Sequence, residues 1–509
     1  MNVSWPTPRN IFISTYKIKP LKITFCTFVI LLFTIPSFAP ADEIKAIFDK
    51  AMYRHAHFGL HVVDMAKGET VYALNSDRLL YPASLTKLFV TASALSRLGR
   101  DFTFKTALYR RGSLKQGSLL GDLILVPTGD IFFSGLEFLA QQVKAAGIRE
   151  VRGDILVDDR LFLPYRAYST VSPGLVLYTV SPAMCTETQL GITITPTRPG
   201  KKAQVKQDLA LSWPGIMNET RTVPKEDETQ IEISWTATGK LRIKGKISTA
   251  STPLKKSVAI YDPASCLRAL FINALQRKKV KVAASPLRPN PRPFLSSLAE
   301  DKDKLSTIAV YQSPPLNQYI QRILETSYNP GADALVLLLG CLRALGTMEE
   351  GMKVIREFLK EKDLDLKTVS LGDGAGISPA NLVTPQTVTA FLAAIARDEI
   401  YRDMLNALPV LGVSGTLKWA VDDKDPAQGK IRAKTGTLNQ YDVLNNSGFV
   451  QGKSLAGYVE TASGRKLAFC VIINHVHETD RPTRPQVMKL AQEVGEDLVR
   501  IAEILYRNY

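Results

Sequence analysis

Tyr81-Pro82-Ala83-Ser84-Leu85-Thr86-Lys87-Leu88 is the stretch on which the reading of this chain turns. A serine hydroxyl is a weak nucleophile until a base removes its proton, and Ser-x-x-Lys on a helix sets a lysine one turn away on the same face. The run that follows, Leu85, Leu88, Phe89, Ala92, Leu95 and Leu98, has helical spacing and stops at Gly99. This spacing predicts a helix that opens at Ser84. Serine is also a favoured N-cap, so the tetrapeptide alone does not separate a nucleophile from a cap.

The rest of the chain separates them. Ser-x-x-Lys also occurs at Ser14 and Ser463, before an export signal and beyond the last motif. By contrast, Ser327-Tyr328-Asn329 and Lys434-Thr435-Gly436-Thr437 carry the sole Ser-x-Asn and Lys-Thr-Gly, and they follow Ser84 in order. Singly, the second could be a turn through Pro330-Gly331 and the third a strand end. In order, they are the motif set of penicillin-binding proteins and serine β-lactamases.

The surroundings narrow this to one family. Tyr81 to Leu88, Ser313-Pro314-Pro315-Leu316, Asp373-Gly374-Ala375-Gly376-Ile377-Ser378, Asn381-Leu382-Val383-Thr384-Pro385 and Arg432 to Leu438 resemble the low-molecular-mass class C penicillin-binding proteins, which are D-alanyl-D-alanine carboxypeptidase/endopeptidases. Ser84 and Ser327 stand 243 residues apart, far more than one helical subdomain needs, so a segment of domain size is inserted between them. A large insert there is a mark of the same family. Thr326, Tyr328, Ala375 and Pro379-Ala380 depart from its usual pattern, and the stretch from Leu444 to Lys453 is expected to lengthen the connection after the Lys-Thr-Gly strand.

The resemblance implies an α+β (α/β) fold: a transpeptidase/β-lactamase-like catalytic domain with an antiparallel sheet flanked by helices, plus strand-rich inserted domains. On that pattern residues 1–41 are a signal peptide, 42–104 and 304–509 the catalytic domain, 105–183 and 265–303 inserted domain II, and 184–264 inserted domain III. It also implies the roles. Ser84 is the nucleophile, Lys87 its base and Ser327 the proton relay. Asn329 holds the substrate amide, and Lys434, Thr435, Gly436 and Thr437 form the strand that takes the terminal carboxylate, with the Ser84 and Thr437 N–H groups as oxyanion donors. The expected partners are peptidoglycan stem peptides and β-lactam antibiotics. Two rival readings share these motifs, a serine β-lactamase and a non-catalytic wall-binding homologue, but Glu-x-x-Asn, the deacylation element of class A β-lactamases, occurs nowhere.

Composition agrees with a multidomain exported protein. With 509 residues, 45% of them hydrophobic, the chain can bury more than one core. Lys17, Lys19 and Lys22, the apolar run Phe25 to Ile35 and Ala39-Pro40-Ala41 read as a secretory signal, which places the protein in the periplasm or cell envelope. The formal charge is +16, which favours peripheral contact with an anionic envelope. No basic helix or aromatic platform points to nucleic acid.

Cys185, Cys266, Cys341 and Cys470 form no Cys-x-x-Cys, and neither a zinc pattern nor a nucleotide loop is present, so no metal or cofactor is expected. His55, His57 and His61 stand at even spacing on a first hairpin and are expected to decorate its surface, and His475 and His477 to lie in a loop. Two openings repeat, Gly121-Asp122-Leu123-Ile124-Leu125 and Gly153-Asp154-Ile155-Leu156-Val157, and residues 230–247 read as a hairpin about Gly239. The clearest returning helix is expected over Gly331 to Leu345. A final amphipathic helix, Val487 to Tyr506, is expected to pack on the catalytic sheet.

Overall fold

The computed structural model describes residues 40–169, 175–184, 188–208, 213–291, 305–477 and 484–509; the signal segment and Cys185 lie outside them. Its centre is a five-stranded antiparallel sheet in the order Ile431–Asp442, Ser447–Glu460, Lys466–Val476, His57–Asp64, Thr70–Leu74. The strand Lys466–Val476 is apolar almost throughout because both faces are covered. Ala468, Cys470 and Ile472 face one core, while Leu467, Phe469, Val471 and Ile473 face another. The second core is closed by the helices Pro40–Phe48 and Arg484–Asn508, as the amphipathic spacing predicts.

Against the first face stands a helical lobe. Its centre is the helix Thr86–Leu98, which no surface stripe interrupts: from Leu80 to Leu95 every residue except Ser84 is buried. The helices Leu316–Thr326, Asn329–Gly340, Met348–Glu361 and Pro385–Ile395 pack around it. The helix Asn329–Gly340 begins earlier than Gly331 because Pro330 is tolerated in a first turn, where its missing N–H costs nothing. It ends at Gly340, where a Cβ would meet the Thr347 carbonyl oxygen at 2.8 Å as the chain turns back.

The segment between Ser84 and Ser327 leaves and returns at one place. Thr103–Lys115 pairs antiparallel with both Ser118–Val126 and Leu305–Pro315, and Leu316 N–H donates to the Phe102 carbonyl at 2.8 Å. The two glycine-aspartate openings lie side by side in this sheet. Leu123, Ile124 and Leu125 run parallel to Ile155, Leu156 and Val157, and the Asp154 N–H donates to Asp122 Oδ1 at 2.7 Å. Gly153 is required there, since a Cβ would stand 2.4 Å from the Gly121 carbonyl oxygen. Beyond it are two three-stranded sheets, one of them containing the expected hairpin, Gln230–Trp235 with Leu241–Ser248. All share a core with the helices Leu136–Ala145 and Pro263–Arg277.

Three expectations change. The stretch from Leu444 to Lys453 is mostly strand: Asn439–Asp442 pairs with Ser447–Val450 past a register break, so the connection itself shrinks to 443–446. His61 is buried at 5% exposure, its ring nitrogens held by Thr389 Oγ1 and Thr70 Oγ1, because the helix Pro385–Ile395 covers that face of the strand. His475 lies within a strand and rests edge-on to His57 at 5.6 Å. Among the described residues no cluster of His, Cys, Asp or Glu could hold a metal ion, and no helix is long and apolar enough to cross a membrane.

Candidate active site

Ser84 lies in a single turn of 3-10 helix, Ala83–Leu85, just before the helix that carries Lys87. Its hydroxyl makes no capping bond; instead Lys87 Nζ donates to Ser84 Oγ at 2.9 Å. The turn is tight enough to force Ala83 to a φ of +48°, a conformation that non-glycine residues adopt only under constraint. That constraint is visible. Asn474 on the central strand clamps Tyr81 through Oδ1 to its N–H (2.7 Å) and Nδ2 to its carbonyl (3.0 Å), and Ser454 Oγ donates to the Pro82 carbonyl at 2.7 Å.

The other two motifs converge on this turn. Lys87 Nζ also donates to Asn329 Oδ1 at 2.7 Å and to the carbonyl of Ala375. Ser327 is the left-handed C-cap residue of Leu316–Thr326, at a φ of +56°, and there its Oγ accepts from Lys434 Nζ at 2.9 Å. Two serine–lysine pairs therefore stand in one cleft, Ser84 with Lys87 and Ser327 with Lys434. Lys434 also donates to the Thr435 carbonyl at 2.8 Å. The strand Ile431–Asp442 is the edge of its sheet; Pro409–Leu411 pairs with its outer side at Ile431–Ala433, and beyond that, from Thr435 on, the outer side is open to an extended peptide. Gly436 permits its approach: a Cβ there would stand 2.2 Å from Ser454 Oγ and 2.7 Å from the Pro82 carbonyl oxygen. Thr435 Oγ1 pairs with Thr416 Oγ1 at 2.7 Å, and exposed Thr437 accepts from Lys453 Nζ at 2.8 Å.

Both lysines are fully buried. Burial brings the Lys87 ammonium down to about 8, against the opposing pull of the Asp333 and Asp373 carboxylates. Lys434 lies well below its ordinary value, first through burial and then through the charge of Lys87. The Asp333 and Asp373 carboxylates oppose the lowering of Lys87, whereas among the described residues no carboxylate opposes that of Lys434.

Sequence reasoning missed the layer behind Lys87. Asp333, fully buried one turn into the helix after Asn329, accepts the N–H groups of Gly374 (2.8 Å) and Ala375 (3.0 Å) on Oδ1, and the Tyr178 hydroxyl (2.7 Å) on Oδ2. Asp373 accepts the N–H groups of Gly376, Ile377 and Ser378 together with Asn381 Nδ2. The two carboxylates shape the loop that aims the Ala375 carbonyl at Lys87. That contact uses backbone, so it does not depend on the side chain at position 375. Burial, then the charge of Asp373, pushes Asp333 up to about 7. A lone Asp inside an apolar helix, Ala332-Asp333-Ala334-Leu335, was the available signal.

The segment between Ser84 and Ser327 also reaches this layer. Tyr178 comes from the insert, and so does Phe132, whose ring lies 5.3 Å from Tyr328 and 5.3 Å from Tyr319, with the Arg322 guanidinium 3.8 Å above it. Tyr328, the departure inside the second motif, thus packs against the insert.

The chain belongs to the D-Ala-D-Ala carboxypeptidase 3 (S13) family, which it matches over residues 41–494. It is 28% identical over 476 residues to the D-alanyl-D-alanine carboxypeptidase of Actinomadura sp. strain R39, covering 89% of this chain and 85% of that one. It is 23% identical over 471 residues to the D-alanyl-D-alanine carboxypeptidase DacB of Haemophilus influenzae, covering 90% and 94%. Among solved structures, penicillin-binding protein 4 (dacB) of Haemophilus influenzae superposes with a TM-score of 0.71 at 20% identity, over 91% of this chain and 99% of that one. The fold is therefore a penicillin-binding one with extra domains, as the motifs imply.

Proposed function

We propose that this enzyme cleaves the terminal D-Ala-D-Ala bond of peptidoglycan stem peptides through an acyl-enzyme on Ser84, and that β-lactams acylate the same serine. The observation that carries the reading is the pair of serine–lysine contacts, Ser84–Lys87 and Ser327–Lys434, each at 2.9 Å in one cleft.

Neutral Lys87 takes the Ser84 proton while Asn329 Oδ1 and the Ala375 carbonyl hold its nitrogen in place. Ser84 Oγ bonds to the carbonyl carbon between the two D-alanines, and the oxyanion is held by the Ser84 and Thr437 N–H groups, worth about 3–4 kcal/mol per donor. As the C–N bond breaks, Ser327 passes a proton to the departing D-alanine nitrogen, replenished through Lys434. The terminal carboxylate binds along Thr435 and Thr437. Its charge places an anion beside Lys434, so substrate binding favours the protonated lysine. Water then frees the acyl group.

The basic, apolar N-terminal segment supports export to the cell envelope, and the single crossing point at Phe102 and Leu316 supports a catalytic domain interrupted by inserted domains. The test is incubation of the mature protein with fluorescent penicillin. Stoichiometric label released slowly is expected; rapid turnover would make it a β-lactamase, and no label would make it a wall-binding homologue.

A further inference from the structure

Far from the serines in sequence, the insert carries a second cleft that the peptidase chemistry does not use. It has a volume of about 850 Å³ and opens onto a recess of about 230 Å³, with Trp235, Thr238 and Tyr261 lining both. Aromatic rings form one wall in a row. Trp213 and Trp235 lie 5.7 Å apart with planes 30° apart, and Trp235 and Tyr261 lie 6.4 Å apart at 32°. The Trp235 indole N–H is spent on the Ala259 carbonyl at 2.9 Å, which fixes the ring, and Tyr261 is 44% exposed. Polar side chains line much of the rest, among them Asp159, Arg160, Arg166 and Asn290. The Arg166 guanidinium lies 4.2 Å over the Tyr261 ring, and its buried Nε has no hydrogen-bond partner among the described residues. Lys240 adds a cation at the recess, while Asp262 is already engaged by Ser265 N–H and Oγ.

Near-parallel aromatic faces stack on the C–H faces of pyranose rings, and a cation lacking an anion asks for a carboxylate; a concave site with a few converging polar groups is the usual form of a ligand pocket. We infer that this cleft binds peptidoglycan glycan strands that have lost their stem peptides, stacking an amino-sugar ring on Trp235 and Tyr261 and placing on Arg166 the lactyl carboxylate that loss of the peptide sets free. The inference rests on the peptidoglycan reading above. It also gives the insert a physical link to the cleft of Ser84. Arg166 lies on the strand Tyr165–Tyr168, which pairs with Val176–Val180, and that partner strand carries Tyr178 to Asp333.

The experiment titrates the mature protein with glycan strands stripped of their stem peptides, read by tryptophan fluorescence, with penicillin acylation measured in parallel. Tyr261→Ala and Arg166→Gln should each weaken strand binding by about tenfold or more while acylating at close to the unaltered rate. No binding by the unaltered protein, binding by both variants as tight as by the unaltered protein, or displacement of the strands by sugar-free stem peptide would each overturn the glycan site. Normal acylation in those cases leaves the peptidase reading standing, whereas absent acylation alongside normal strand binding removes that reading alone.

Discussion

Tyr178, from the inserted strands, donates its hydroxyl to Asp333 Oδ2 at 2.7 Å, and the opposite oxygen of Asp333 holds the loop whose Ala375 carbonyl receives Lys87. A residue of the insert thus reaches the proposed base through one carboxylate and one peptide unit.

The pH dependence follows from this chain of contacts. As the proposed base Lys87 must be neutral for acylation, so with its ammonium near 8 the rate should climb about tenfold per pH unit below that value and level off above it. Asp333→Asn keeps an acceptor for the Gly374 and Ala375 N–H groups but removes a charge that raises Lys87, so the midpoint should move to lower pH. Tyr178→Phe should move it the same way by less, since losing that donor leaves Asp333 more readily protonated. Penicillin acylation rates across pH check both, and an unmoved midpoint in Asp333→Asn would remove Asp333 from the tuning of Lys87.

Ser84→Ala should abolish covalent penicillin labelling with the fold intact, because Ser84 alone in the run from Leu80 to Leu95 is not buried. Ser463→Ala should label normally, as Ser463 sits in a surface turn hydrogen-bonded to Thr461. Stoichiometric label on the Ser84 variant, located by mass spectrometry of its peptides, would refute the nucleophile assignment.

Lys434→Ala removes a charge-assisted hydrogen bond worth about 1.5–3 kcal/mol, so acylation should fall by roughly ten- to over a hundredfold. Lys87→Ala should do more damage. Only the first should erode the preference for a D-Ala-D-Ala peptide over its C-terminal amide, a ratio of kcat/KM values measurable with two peptides. If the Lys434 variant keeps that preference, the carboxylate is held elsewhere, and Lys453 beside Thr437 is the cation to replace next.

Gly436→Ala tests the approach of the edge strand. The new methyl collides with Ser454 Oγ and the Pro82 carbonyl oxygen, both of which anchor the turn of Ser84. Overpacking of this kind costs about 1–3 kcal/mol, so a lower Tm and slower acylation should appear together. A variant as stable and as fast as the unaltered protein would mean that the strand can shift without disturbing Ser84.

Replacing residues 105–303 with a short linker should be damaging. It takes away Tyr178, leaving Oδ2 of buried Asp333 without its donor, and it uncovers the Tyr319 and Tyr328 rings that Phe132 packs against. A folded, normally acylating product would show that the insert is dispensable to the site.

The sequence by itself determined the chemistry and its local frame. Ser84 and Lys87 are three residues apart, a distance that helical geometry alone converts into contact, and Pro330, Gly99 and the apolar run in Lys466–Val476 mark their elements through backbone and burial rules that act over a few residues. The tertiary structure decided what surrounds the two lysines. Asp333 and Ala375 are 42 positions apart and Tyr178 is 155 positions from Asp333, and no local rule brings such residues together. Whether Lys87 is lowered by burial or held up by a carboxylate depends on which groups share a water-free space, and that follows from how helix, loop and insert pack. His61 shows the same division: its even spacing with His57 placed it on a strand face, but only the helix laid across that face made it buried.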